Sequence, residues 1–180
     1  MFSVLFALFI DRMAAKARTN EQKRTALGRI HQELSENEKL IRKMVTLHAE
    51  VIQSLTAAMQ NRNDTLRRQV AKDGYLNYRL LANGKSLFAR YPSSMSWEAA
   101  KSTGIISEFD YETIEACEGA YSSQEIIVRS TLPKITEDLF DLDTSQMDQK
   151  LTKFRLKFME ISEQETTLLH RLEEAIQRTE

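Results

Sequence analysis

The sequence has few of the residues that interrupt or staple a chain. Its 180 residues include one cysteine, two prolines and five glycines. Cys117 alone excludes an internal disulfide, which is compatible with a reducing compartment without proving one. So few helix breakers, alongside many Leu, Glu, Lys, Arg and Gln, favour helices. Charge of one sign is also lacking. The 25 basic and 26 acidic residues leave a formal net charge of −1, so a general affinity for nucleic acid is not expected. The familiar catalytic signatures are absent too: there is no P-loop, no GxGxxG and no GxSxG. None of the three histidines, His31, His48 and His170, stands in an HExxH or ExxH arrangement with a second metal-type ligand. Asp141, Asp143 and Ser145 begin like a calcium loop. Gln146 then stands where Gly is required and Thr152 where the bidentate Glu belongs. No metal or other cofactor is expected.

What the chain does have is a long apolar seam. Leu27, Ile30, Leu34, Asn37, Ile41, Met44, His48, Val51, Leu55 and Ala58 follow one another at alternating steps of three and four, and eight of these ten are apolar. Such a heptad seam, with only Gly28 inside it and no Pro, predicts one long helix over about residues 3–60. A helix cannot bury that edge alone, so later helices must lie along it. Asn37 and His48 are the polar members. Asn37 fixes register at a cost in stability, and His48 reads as a satisfied core histidine.

The first ten residues are apolar except Ser3. Between Asp11 and His31 come six basic residues against two acidic. An apolar stretch followed by basic residues resembles a membrane exit. Nine helical residues, however, give roughly 14 Å against a hydrocarbon core of about 30 Å. A secretory signal is a poor match, because the basic residues follow the apolar run. Three readings stay open: part of a transmembrane helix, an interfacial anchor held by acidic headgroups, or an apolar helix end packed on the bundle or a partner. In each, Val4, Leu5, Phe6, Leu8 and Phe9 need a cover and are the candidate membrane contacts. The basic excess leans towards a cytoplasmic bundle. Residues 1–10 are therefore read as an anchor and 11–180 as one helical-bundle domain.

The remaining chain predicts further helices. Asp64 suits the start of a new one, whose Arg62, Arg67, Arg68 and Lys72 read as a solvated face. Residues 74–90 read as interrupted helix, with Asn83-Gly84 as a helix end and a loop at Pro92. Ser96 suits an N-cap with Met95 as a hydrophobic staple, and Gly104 suits the left-handed residue ending a short Trp97 helix. Ile105, Ile106 and Phe109 should then enter the core. Asp110 should cap a helix over about 110–142 that Pro133 kinks or splits. A final helix over about 146–178 carries Met147, Leu151, Phe154, Phe158, Ile161, Leu168, Leu172 and Ala175, interrupted by Glu165. Leu156, Met159, Leu169 and Ile176 widen its apolar face. The expected fold is all-α, an elongated antiparallel helical bundle.

Several of these residues also suggest a likeness. The order is the apolar segment Val4–Ile10, the charged exit Asp11–Arg24, the long helix with Leu27-Gly28-Arg29-Ile30, the stretch Ser96-Trp97-Glu98 ending at Thr103-Gly104, and then Asp110-Tyr111 with Tyr121 further on. Together they resemble a group of uncharacterised bacterial proteins with one N-terminal transmembrane helix and a helical soluble domain. The resemblance implies a membrane anchor and a helical fold, and it carries no catalytic residue.

The function these features lead to is a membrane-tethered bundle that binds a protein partner or itself, with lipid contacted through residues 1–10 and no catalysis. The alternative is a small-molecule sensor whose ligand lies between helices near Tyr75, Tyr78 and Trp97. For an enzyme, Glu33, Glu50 and His48 form the one cluster to inspect. Cys117, on an apolar seam, reads as buried and inert.

Overall fold

The computed structural model describes residues 2–60, 71–72, 75–87, 90–140 and 147–180. The side chains of residues 2–5, 7–8, 71–72, 75–76, 78 and 138–140 lie outside that description, as does the expected helix start at Asp64. The fold is an all-α bundle built on two long helices, α1 (Phe2–Gln60) and, at the chain's end, α6 (Met147–Thr179). The seam on α1 does what its spacing requires. From Ile30 to Ala58 every member is buried, including Ile41 and Val51, and Leu27 is half-buried. Opposite them lie Leu151, Phe154, Phe158, Ile161, Leu168, Leu172 and Ala175 of α6, all buried. Each large apolar side chain in this interface is worth about 1.5–3 kcal/mol of burial.

The two helices run antiparallel. His31 meets Thr179 across the interface (3.3 Å), Arg42 pairs with Glu173, and His48 pairs with Glu165 (2.9 Å). The end of α6 thus lies beside His31, and the first part of α1 runs on past it. Leu156 and Met159, expected to widen the apolar face of α6, are instead 55% and 37% exposed. Leu169 and Ile176 do pack partly against the core, whereas Leu156 and Met159 face solvent.

Between the long helices the chain folds into shorter pieces. Strands β1 (Ala71–Lys72) and β2 (Tyr75–Leu76) form a two-residue antiparallel ladder, with Ala71 opposite Leu76 and Lys72 opposite Tyr75. Among the described residues, the interrupted helix expected over 74–90 is therefore only the single turn α2 (Tyr78–Leu81). Asn77 begins it by accepting the Leu80 N–H (3.1 Å), and two consecutive left-handed residues, Asn83 (φ 52°) and Gly84 (φ 82°), stop it. Glycine tolerates such a φ without strain and asparagine tolerates it better than most residues, which is why this pair ends helices.

Helix α3 (Met95–Ser102) carries Trp97 inward. Its cap residue is Ser94 and not Ser96, and Met95 is no staple, being 80% exposed. Gly104, at φ 74°, turns the chain into a 3-10 turn (Ile105–Glu108) that delivers Phe109 to the core. Asp110 caps α4 (Tyr111–Ile126) by accepting the Thr113 N–H (2.9 Å). The wide π turn Ile127–Thr131 then leads into α5 (Leu132–Phe140). Pro133 has no N–H to donate, and its ring crowds the carbonyl four residues back, at Arg129. That carbonyl lies in the wide turn, so the helix is relieved by the π segment and continues.

Candidate functional site

Two regions concentrate features that packing does not use. The first is the overhang of α1. Ile30 is the first fully buried residue, Ala26 and Leu27 pack partly on the core, and residues 9–18 are all exposed. Residues 2–18 thus extend α1 by roughly 25 Å beyond the bundle. Near its tip Phe6, Phe9, Ile10 and Met13 are 64%, 60%, 49% and 59% exposed. Their spacing of i, i+3, i+4 and i+7 places them on one helix face. Of the five expected membrane contacts, Phe6 and Phe9 are therefore open to solvent, while the side chains of Val4, Leu5 and Leu8 lie outside the described residues. Ile10 lies within the expected anchor, though not among its five named contacts, and Met13 lies beyond it, although its spacing from Phe6 and Phe9 was visible. Arg12, Lys16, Arg18 and Arg24 follow as exposed cations. Among the described residues no helix is long and apolar enough to cross a membrane.

The second region is where the segment Arg90–Ser96 straps across α1. Glu33 is its centre. Its buried carboxylate accepts the Tyr121 hydroxyl (2.8 Å), the Ser93 hydroxyl (2.8 Å) and the Ser96 N–H (3.0 Å to one oxygen, 3.2 Å to the other). Glu33 thus replaces the expected local cap on α3, from 63 residues away. Beside it, Asn37 accepts the Ser93 N–H (2.9 Å) and donates to the Ser93 carbonyl (2.7 Å) and to Gln124 (3.0 Å). Gln124 donates in turn to the Ser93 carbonyl (3.1 Å). Burial and the Glu33 carboxylate push the Tyr121 phenol up from its ordinary pKa, so it stays a donor.

Trp97 is buried, stacks on Tyr121 (5.5 Å between centroids, 8° between planes) and donates to Glu118 (3.3 Å). It is a core anchor that shows one edge to a cleft of about 250 Å³. The charges around that cleft pair with one another, Lys101 with Glu98 and Arg129 with Glu125. Tyr75 and Tyr78, the other expected ligand-lining rings, have side chains outside the described residues.

The three residues singled out for catalysis do not converge. Glu33 holds the strap, Glu50 pairs with Lys85 (2.8 Å), and His48 pairs with Glu165. A histidine held by a carboxylate is the orienting half of an acid–base triad. Both side chains here have zero exposure, so neither offers solvent a face on which a substrate could be placed. Cys117 is buried, and its thiol is pushed up to about 12, mainly by desolvation, which keeps it protonated. Among the described residues no cluster of His, Cys, Asp and Glu could hold a metal ion.

The fold and these regions define a class: an antiparallel helical bundle from which one long helix projects. Comparison with protein-family models, with curated proteins and with solved structures finds no match for this chain.

Proposed function

We propose that the chain is a membrane-tethering bundle: the α1 overhang seats its apolar tip in an anionic bilayer, and the bundle it carries is the part offered to a protein partner. The observation behind this reading is the exposed face of Phe6, Phe9, Ile10 and Met13 immediately ahead of a collar of basic residues. Side chains of this size on one helix face leave a strong drive for cover. A second copy lying side by side would bring collar against collar, and like charges repel. Anionic headgroups complement the collar, at about 1 kcal/mol per Lys or Arg near the surface. The apolar face lies at the depth of the acyl boundary when the collar lies at the headgroups. The likeness of the Ser96–Gly104 stretch to bacterial proteins with an N-terminal membrane helix points the same way. On that reading the anchor is peripheral or single-pass, and the basic collar leans the bundle towards the cytoplasmic side.

Sedimentation with vesicles tests the proposal. The intact chain is expected to bind vesicles containing phosphatidylserine, to bind neutral ones weakly, and to release as salt rises. Phe9→Ser removes about 2 kcal/mol of apolar burial, about thirtyfold in partitioning. Equal binding of the wild type and a Phe6→Ser/Phe9→Ser double variant would rule the tip out as the contact.

A further inference from the structure

The strap and α1 also build a groove that the tether does not use. Its volume is about 770 Å³, within the range of small-molecule sites. Arg29, Lys39 and Lys43 line it from α1, and Arg90 lines it from the strap. None of the four makes an ion pair or side-chain hydrogen bond among the described residues. Elsewhere on the bundle several cations are matched: Arg42 with Glu38 and Glu173, Lys85 with Glu50, Lys101 with Glu98, Arg129 with Glu125, and Arg178 with Glu112. The two carboxylates in the groove are already engaged. Glu33 is turned inward to Tyr121, Ser93 and Ser96, and Glu36 accepts from Gln32 (3.1 Å).

The Asn37–Ser93–Gln124 bonds hold the two walls together, so the cations are placed by a rigid tertiary contact. Four like charges gathered on one rigid surface raise the local potential and attract multivalent anions. From Arg29 to Lys43 the helix rises roughly 21 Å, which favours an extended anion over a single compact one.

We propose that this groove binds a ligand carrying several phosphate groups, with Lys39, Lys43 and Arg90 as its main contacts. The site is independent of the tether. Lys16, at headgroup depth, and Lys39 lie roughly 35 Å apart along α1, several Debye lengths at physiological salt, so an upright overhang holds the groove's main contacts beyond the bilayer's surface charge.

Tripolyphosphate titrated calorimetrically into the intact chain is the first probe, and phosphatidylserine vesicles with and without a phosphoinositide are the second. Lys39→Gln/Lys43→Gln/Arg90→Gln is expected to weaken tripolyphosphate binding at least tenfold, with an unchanged melting temperature. Lys16→Gln/Arg18→Gln, in the collar, is expected to weaken vesicle binding and leave tripolyphosphate binding alone. If the groove variant loses only tripolyphosphate, the ligand is soluble. If it also loses the extra binding given by the phosphoinositide, the phosphates belong to a headgroup and the bundle lies tilted against the bilayer instead of upright. Absence of tripolyphosphate binding, equal loss in both variants, or tighter binding of a single-stranded oligonucleotide overturns the proposal. The tripolyphosphate results do not depend on whether the tip enters lipid.

Discussion

Four polar residues stand where the helix seams call for apolar ones: Asn37, His48, Gln124 and Glu165, all buried. The structure matches them across helices, Asn37 with Gln124 and His48 with Glu165. Each pair excludes neighbouring registers, because a shift of one heptad would set a polar group against a hydrocarbon wall. Removing one partner of a buried pair costs far more than removing both. Glu165→Leu alone is therefore expected to cost about 3 kcal/mol, while His48→Leu/Glu165→Leu recovers most of that loss in chemical denaturation. A double variant as unstable as the sum of the two singles would show that the residues act separately. The breaks at Asn37, His48 and Glu165 were legible in the sequence, whereas Gln124, on α4, was not. Which break faces which was not, because helix register depends on packing that no linear spacing records. Glu33 was harder still, since its partners come from a loop and two other helices.

Asp110 gives a second test at this scale. The Thr113 N–H, and then the Thr113 hydroxyl, hold its carboxyl below the ordinary value. A carboxyl depressed on folding contributes stability that is complete above its unfolded pKa, near 4, and is lost as pH falls through the folded value. Glu50, lowered chiefly by Lys85, acts with the same sign. Asp110→Asn keeps a cap and removes the titration. Its melting temperature is expected to fall less steeply than the wild type's on acidification below about pH 4. Parallel curves would contradict the assignment.

At the scale of elements, α1 has two parts with different reasons to be helical. From Ile30 onward it is held by packing on α6; before about Thr19 it has local propensity alone. An isolated helix of some twenty residues is marginal in water. Amides of residues 5–20 are therefore expected to exchange within seconds, and those around Ile41 to Leu55 to approach the protection of global unfolding. Uniform protection along α1 would mean that something covers the overhang in solution. The heptad steps made this helix and α6 legible, with ends within two residues of those expected. The chain between them was less so. Residues 74–87 are too short and mixed for periodicity to decide. The π turn answers Pro133 in a way that spacing does not specify, since kink, break and widened turn all relieve the same clash.

At the scale of the whole molecule, the two long helices bury each other's seams while one end of α1 has no such neighbour among the described residues. The seams, the polar pairs and the strap all serve to fix the bundle; the tip serves none of them. That division of labour is what the tether reading rests on. It predicts a gradient along α1, from hydrocarbon at Phe9 through headgroups near Lys16 to water at Lys43. Cys117 is buried and its thiol is held protonated, so a cysteine introduced on the surface can be labelled selectively. The decisive measurement is the immersion depth of a nitroxide placed in turn at Phe9→Cys, Lys16→Cys and Lys43→Cys, on vesicles containing phosphatidylserine. The account predicts an oxygen-accessible, water-shielded label at 9, an intermediate one at 16 and a fully aqueous one at 43. Three equally aqueous labels on vesicle-bound protein would contradict it.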